Sequence, residues 1–552
     1  MNEIEVRFPD GSSIKTMYGT RVDTLLHRFK SLDGPIVAVR SNNELMALSG
    51  RLEVNVTLEP VTLTTTEGTS IYRRSLSFLL AMAAKSLFPE RTLVVGHSLG
   101  HGYFYTFADE VKPTQEELDS LAKKMKELVD QNLPIHFTYM SYADALSHFT
   151  NHKQTDTALL LEQQSKGMVP VNECQGFIDV NIAPLVPRTG ILQLFELRAY
   201  ENGFLLRFPS SADYSNIEPF EDSPRIFAVY REYKKWGRIV GVHSVGNLNA
   251  LVSARKIKEF IQIAEAFQQK KLSEIADEIY KRRDTVKVVL IAGPSSSGKT
   301  TTAKRLAIQM RVMGLDPIPV SLDDYYVNHD KTPLDEEGKP DYECLEALDV
   351  AYLNEQLIDL LRGKEVEIPS YDFKTGMRRE SSNKKIQLGR RSMLILEGIH
   401  GLNDRLTSQI DRDRKFKIYV SALTQLNLDD HNRIPTSDNR LIRRMVRDYQ
   451  FRGNSAAGTI RMWPSVQRGE KKHIFPFQDT ADVAFNSALD YELSVLKVYA
   501  EPLLKSVKPT MLEYGEAVRL LAFLENFAPI PPQLVPGQSI LREFIGDSEF
   551  KY

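Results

Sequence analysis

The stretch VKVVLIAGPSSSGKTT constrains this chain more than any other, because it sets Gly293, Gly298, Lys299 and Thr300 in a G-x-x-x-x-G-K-T spacing between a strand-like apolar run and the helix-forming TAKRLAIQM. Such glycines let the backbone curl until successive N–H groups and a helix N-terminus face phosphate oxygens. Lys299 is then placed to neutralise the outer phosphates and Thr300 to ligand Mg²⁺. Gly293, Ser295, Ser296, Ser297, Gly298, Lys299, Thr300 and Thr301 are the candidate nucleotide-binding residues. A Ser/Gly-rich linker would have no such flanks.

Beyond this loop, β-branched runs (Val286 to Ile291, Pro317 to Ser321, Met393 to Leu396, Phe416 to Val420) alternate with longer helical segments, the rhythm of βαβ units around a parallel sheet. Nucleotide binding alone does not distinguish a kinase from a GTPase or a motor. The guanine-reading N-K-x-D pattern is missing, since Asn383-Lys384-Lys385 is followed by Ile386. The second strand instead ends in Ser321-Leu322-Asp323-Asp324-Tyr325-Tyr326, which puts carboxylates and phenols where open α/β sheets place their sites. A carboxylate there can accept the proton of an attacking hydroxyl or hold a metal.

These features, in this order, resemble the uridine kinase branch of the phosphoribulokinase/uridine kinase family over roughly residues 286–485. The resemblance implies Asp323 as general base, with Thr300, Asp323 and Glu397 (in Leu394-Ile395-Leu396-Glu397-Gly398) around Mg²⁺. It implies an acceptor pocket from Tyr326, Tyr342, Glu343, Tyr371 and Arg378, the last two in the segment that runs Ile368-Pro369-Ser370-Tyr371-Asp372-Phe373 onward. Arg440, Arg444 and Arg447 share one face of a predicted helix and Arg452-Gly453 follows, so Arg444, Arg447 and Arg452 match the arginines that close over the phosphates. Together with Asp323 and Lys299 they form the expected catalytic set. Two departures stand out: Gly376 occupies a position where pyrimidine kinases of the family commonly have a base-contacting His, and Glu343 stands where an Asp usually meets the ribose. Asp429 to Ser437 reads as an insertion, and Trp463 to Lys472 is unlike the simpler enzymes; either could alter the lid or the acceptor pocket.

Residues 1–62, with Phe8-Pro9-Asp10-Gly11-Ser12, resemble the small β-grasp TGS module of threonyl-tRNA synthetases, and residues 63–250 resemble the adjoining editing domain. Where that domain has two helical histidines this chain has Arg74 and Phe78, and a later histidine position reads Ile178. Cys174 alone remains, and one thiolate cannot hold zinc tetrahedrally, so neither editing nor a structural metal is expected. His97 and His101 read as ordinary loop histidines. A helical connector over 251–283, a P-loop kinase domain over 284–500 and a helix with a Pro-rich tail over 501–552 complete a multidomain α/β plan.

A net charge of -2 gives no electrostatic footprint for nucleic acid, so RNA contact through the N-terminal half is a local matter at most. With Cys174 and Cys344 only, and no apolar segment near the length of a membrane span, the expectation is a cytoplasmic protein with no disulfide scaffold and no membrane contact. The expected activity is ATP-dependent, Mg²⁺-dependent phosphorylation of a nucleoside hydroxyl, uridine or cytidine to the 5'-monophosphate. Two alternatives stay open: a kinase for another nucleoside or a small polyol, and an RNA- or ribosome-associated regulator that uses nucleotide binding as a switch. Self-association is also left open.

Overall fold

The structure is a computed structural model that describes residues 3–551 except 31, 211–212, 336–337 and 373–374, with the side chains of 380–383 also set aside. Phe373 of the tyrosine-bearing segment therefore lies outside the described residues.

The N-terminal strands Glu3–Arg7, Ser13–Met17, Ile36–Ser41, Glu44–Ala47 and Val56–Thr62 form one five-stranded mixed sheet over a core of Val6, Val39, Leu52 and Leu58. Val22–Arg28 form a 3₁₀ helix. Next comes α1 (Thr66–Leu87), whose cap Thr65 accepts the Gly68 amide at 3.0 Å; Gly68 has no room for a Cβ, which would lie 1.9 Å from the Thr62 carbonyl oxygen. This helix is apolar over most of its circumference because it is covered by a four-stranded sheet and by the helix Gln115–Asp130. Thr114 and Glu117 form a capping box at the start of that second helix.

His97 is not in a loop. The strand Leu93–Leu99 continues through it, and the buried imidazole stacks on Tyr230 at 5.3 Å between ring centroids. Burial and the Arg433 charge push its pKa down to about 3. At the synthetase histidine positions the Arg74 guanidinium donates to the Pro184 carbonyl at 3.1 Å, and Phe78 meets Phe177 edge-on at 5.1 Å. Both side chains serve packing.

The uninterrupted helix expected over 251–283 is two helices. Val245–Ser253 ends in a turn where Arg255 adopts φ +60°, and α2 (Ile257–Lys281) starts afresh. Composition missed this break because Arg255 takes the left-handed conformation without a glycine to signal it. Rather than standing off as a connector, α2 buries Phe260, Ile261, Leu272 and Ile279 in the largest core of the protein.

That core surrounds a five-stranded, all-parallel sheet: β1 (Val288–Ala292), β2 (Asp316–Ser321), β3 (Ser392–Glu397), β4 (Lys415–Ser421) and β5 (Val483–Asn486), in the order β2-β3-β1-β4-β5. β1, β3 and β4 are buried throughout because neighbours cover both faces. Helix α3 (Lys299–Val312) follows β1 directly; α4 (Thr436–Arg452) and α5 (Ala456–His473) lie between β4 and β5. The chain closes with the helices Glu492–Lys505 and Tyr514–Leu524 and the short α6 (Arg542–Ile545), whose Phe544 and Ile545 belong to the same core.

Candidate functional site

Parallel register sets Ser321 of β2 opposite Glu397 of β3, and Glu397 opposite Ile291 of β1. The carboxyl ends of three adjacent strands therefore open into one crevice with the phosphate loop at its centre. Gly293 is obligatory there, since a Cβ would lie 1.9 Å from the Val420 carbonyl oxygen, and Gly298 caps α3 at φ +81°. The Ser296 and Ser297 hydroxyls are buried without a hydrogen-bond partner among the described residues. Lys299 folds back, its Nζ donating to the carbonyls of Gly293 and Pro294 at 3.0 and 3.1 Å. Burial lowers its pKa, and the charges of Glu397 and Asp323 oppose that shift.

Thr300 Oγ1 donates to Glu397 Oε1 at 3.1 Å and Ser321 Oγ donates to the same oxygen at 3.0 Å. The Asp323 amide closes a turn onto Ser321 Oγ at 3.4 Å. Burial, then the Asp323 charge, raises the pKa of Glu397, with Lys299 acting against them. Two carboxylates and two hydroxyls make a hard oxygen donor set, and a carboxylate whose ionisation is suppressed by burial and a like charge gains from a cation beside it. The residues fit Mg²⁺.

The wall of the crevice near Asp323 is aromatic. Tyr326 donates its hydroxyl hydrogen to the Tyr342 carbonyl at 3.0 Å, and its ring lies 6.5 Å from that of Tyr342 and 5.5 Å from that of Tyr371. Asp323 acts electrostatically on Tyr326, which joins the aromatic group to the crevice. The exposed His329 packs over Gly376, whose absent Cβ would lie 3.0 Å from the His329 Cβ, and meets Tyr342 edge-on at 6.0 Å. Glu343 is half-buried against Gly469 of α5, and its buried Oε2 has no hydrogen-bond partner among the described residues. Burial, then the charge of Glu470, pushes its pKa up to about 7 against the pull of Arg444 and Lys299. The Arg378 guanidinium donates to Asp349 at 2.9 Å and lies 5.2 Å from the Tyr352 ring centroid.

The arginines of α4 divide into two groups. Arg440 and Arg443 are buried and hold the phosphate loop: Arg440 Nε donates to the Ser295 carbonyl at 2.9 Å and Arg443 Nη1 to that of Ser296 at 3.2 Å. Their ion-pair partners are Glu470 and Glu492. Arg444, Arg447 and Arg452 instead gather around the buried Asp448, at 3.2, 2.7 and 3.8 Å, and Arg444 also donates to Ser295 Oγ at 2.6 Å. Arg452 feels the charge of Asp323. Sequence reading missed Glu470, Glu492 and Asp448; only Asp448 carried a local signal, standing four residues after Arg444 on the same helix.

The segment 429–437 serves neither lid nor acceptor pocket at its start. Asp430 accepts from the Thr157 amide and hydroxyl, both at 3.0 Å, and His431 pairs with Asp179 at 3.0 Å, so this segment docks on the N-terminal half. Within 463–472, Gly469 packs against Glu343 and Glu470 accepts from the Ser295 amide at 2.8 Å.

Among the described residues, no helix is long and apolar enough to cross a membrane. The family model described as "Phosphoribulokinase / Uridine kinase family" matches residues 288–494. The N-terminal half matches threonine–tRNA ligases: that of Citrifermentans bemidjiense is 28% identical over 205 residues, 37% of this chain and 32% of the ligase. That of Methylococcus capsulatus is 33% identical over 162 residues, 29% of this chain and 25% of the ligase. The chain thus spans about a third or less of the length of the curated relatives it matches. Among solved structures, a possible uridine kinase from Bacillus stearothermophilus is 20% identical with a TM-score of 0.27, covering 39% of this chain and 98% of its own. The D-glycerate 3-kinase of Cryptococcus neoformans is 17% identical with a TM-score of 0.22, covering 46% of this chain and 87% of its own. Residues 288–494 accordingly form a P-loop domain similar to the phosphoribulokinase / uridine kinase family, preceded by a region similar to threonine–tRNA ligases.

Proposed function

We propose that this chain is an ATP-dependent kinase that phosphorylates a nucleoside hydroxyl, with uridine or cytidine as acceptor and the 5'-monophosphate as product. The observation that carries this reading is the convergence of Lys299, Asp323 and Glu397 in one crevice whose outer wall is Tyr326, Tyr342 and Tyr371. A nucleotide switch has no use for a carboxylate beside an aromatic acceptor pocket.

Asp323 orients the acceptor hydroxyl and takes its proton as the new bond to phosphorus forms. Lys299 leaves the loop carbonyls for the outer phosphates, and the arginines around Asp448 offset the charge that spreads over the transferring group. Thr300, Glu397 and Asp323 would hold Mg²⁺, which would supply neutralising charge to the phosphates. The tyrosine rings exclude water and give a flat base a surface to stack on. Glu343, whose Oε2 is without a partner among the described residues, offers an acceptor for sugar hydroxyls.

A second reading, a kinase for another nucleoside or a small polyol, is favoured by Gly376, which leaves His329 to fill that side of the pocket. The decisive assay measures ATP consumption against a panel of nucleosides, sugars and polyols. Stimulation by uridine or cytidine above all others supports the first reading and stimulation by a polyol the second. No stimulation at all, with salt-sensitive RNA binding, would leave a nucleotide-binding regulator.

A further inference from the structure

The first open amides of α3 are the ones a phosphate would use. Thr302 already donates its amide to the Gly298 carbonyl at 3.0 Å, which leaves those of Lys299, Thr300 and Thr301 outside the intrahelical ladder. The third of them is occupied by a carboxylate. Glu543, from the far end of the chain, accepts from the Thr301 amide at 3.0 Å and from the Thr301 hydroxyl at 2.7 Å, both through the same oxygen.

This contact is built into the packing. Ile540 presses on the loop so closely that a Cβ on Gly298 would lie 2.6 Å from its Cγ2. Leu541, Phe544 and Ile545 are buried in the main core, and the Phe544 ring centroid lies 4.9 Å from the Arg443 guanidinium that holds the Ser296 carbonyl. Arg542 ties the segment to the Val535 carbonyl at 2.7 Å. The backbone of α6 is therefore fixed, while the half-buried Glu543 side chain has a way out to solvent.

Resting on the phosphate-loop reading above, we propose that Glu543 is a built-in competitor of the nucleotide: its carboxylate occupies a phosphate position on α3 and must rotate away before a phosphate can take the Thr301 donors. One N–H cannot serve two anions, and two negative groups at one helix N-terminus repel. The carboxylate also supplies the resting loop with the counter-charge that the macrodipole favours. Nucleotide binding is thereby coupled to the C-terminal tail, and whatever draws Glu543 outward strengthens it.

The test is calorimetric binding of ADP·Mg²⁺ and of inorganic tripolyphosphate to the full chain, as wild type, Glu543→Gln and Glu543→Ala, with melting temperatures of the ligand-free proteins alongside. Glu549→Gln removes a tail charge that pairs with Gln538 instead and is the control. The expected result is affinity about tenfold tighter in Glu543→Ala, less in Glu543→Gln and unchanged in Glu549→Gln, while the ligand-free melting temperature of Glu543→Ala falls. Affinity and stability moving in opposite directions is the signature of competition, because a purely structural cap would lower both. Wild-type binding with unchanged or weakened affinity in both Glu543 variants overturns the proposal and leaves the phosphate-loop reading intact. Absence of binding in the wild type overturns both.

Discussion

Glu470 of α5 accepts the amide hydrogen of Ser295, the third residue of the phosphate loop, at 2.8 Å. The same carboxylate oxygen is paired with Arg440 of α4, and the two side chains are only 1% and 5% exposed. One buried anion thus ties the curvature of the loop to two helices. Glu470→Ala would leave Arg440 uncompensated in the interior, and breaking a buried pair in this way costs about 3–5 kcal/mol. Denaturant unfolding should show a loss of that size together with weaker ADP binding. Unchanged stability would mean that the pair has little to do with holding the loop.

Asp323→Asn removes the proton acceptor and keeps the shape of the turn, whose amide-to-Ser321 hydrogen bond does not involve the side chain. General-base catalysis is worth about 10²–10⁴-fold in rate. The variant should therefore lose turnover by at least about a hundredfold while retaining most of its ATP affinity, as read by kcat and by direct binding. Turnover close to wild type would remove Asp323 from the role of base.

The phosphate loop was legible in the sequence because its residues encode backbone geometry locally: Gly293 lacks a Cβ where the Val420 carbonyl approaches, and Gly298 takes φ +81° at the helix cap. The α4 arginines were legible for a similar reason, since positions 440, 444 and 447 fall on one helical face whatever surrounds them. What anchors them was not. Glu470, Glu492 and Glu543 reach the loop from other elements, and no local pattern announces a tertiary ion pair. The break at Arg255 and the strand through His97 were hidden for the complementary reason that tertiary packing overrode a helix-rich composition in one case and a Gly-rich context in the other. The four-residue edge strand β5 was too short to show a periodicity.

Glu343 gives the site a pH signature. Its pKa of about 7 in the folded protein exceeds the ordinary 4.5, so between these values the folded state binds more protons than the unfolded chain. Stability therefore falls as pH rises from the lower value through the upper, by on the order of 3 kcal/mol if the full shift is realised. Glu343→Gln, neutral throughout, should flatten the melting-temperature profile between pH 5 and 8 and be the more stable protein at the alkaline end. It should also raise the acceptor KM more than it lowers kcat, because its place is beside the acceptor. Parallel profiles for the two proteins would show that Glu343 ionises freely.

A second titration governs how the two halves meet. Burial alone would lower the pKa of His431, but Asp179 at 3.0 Å, with Asp430 and Asp429 nearby, outweighs it and lifts the value to about 9 against an ordinary 6.5. A raised imidazole contributes its full stabilisation below the unfolded pKa and loses it as pH climbs through the folded one. Asp429 and Asp430 are raised as well, chiefly by burial, against the pull of His431 and, for Asp430, of the Thr157 donors. The docking of residues 429–431 on Thr157 and Asp179 should therefore loosen between about pH 6.5 and 9. Hydrogen exchange at the Thr157 amide, which donates to Asp430, reports it directly once intrinsic rates are divided out. Protection should decline over that window in the wild type, whereas His431→Gln should begin with less protection and show little further change. Equal protection in both proteins at every pH would mean that the charge of His431 does not hold this interface.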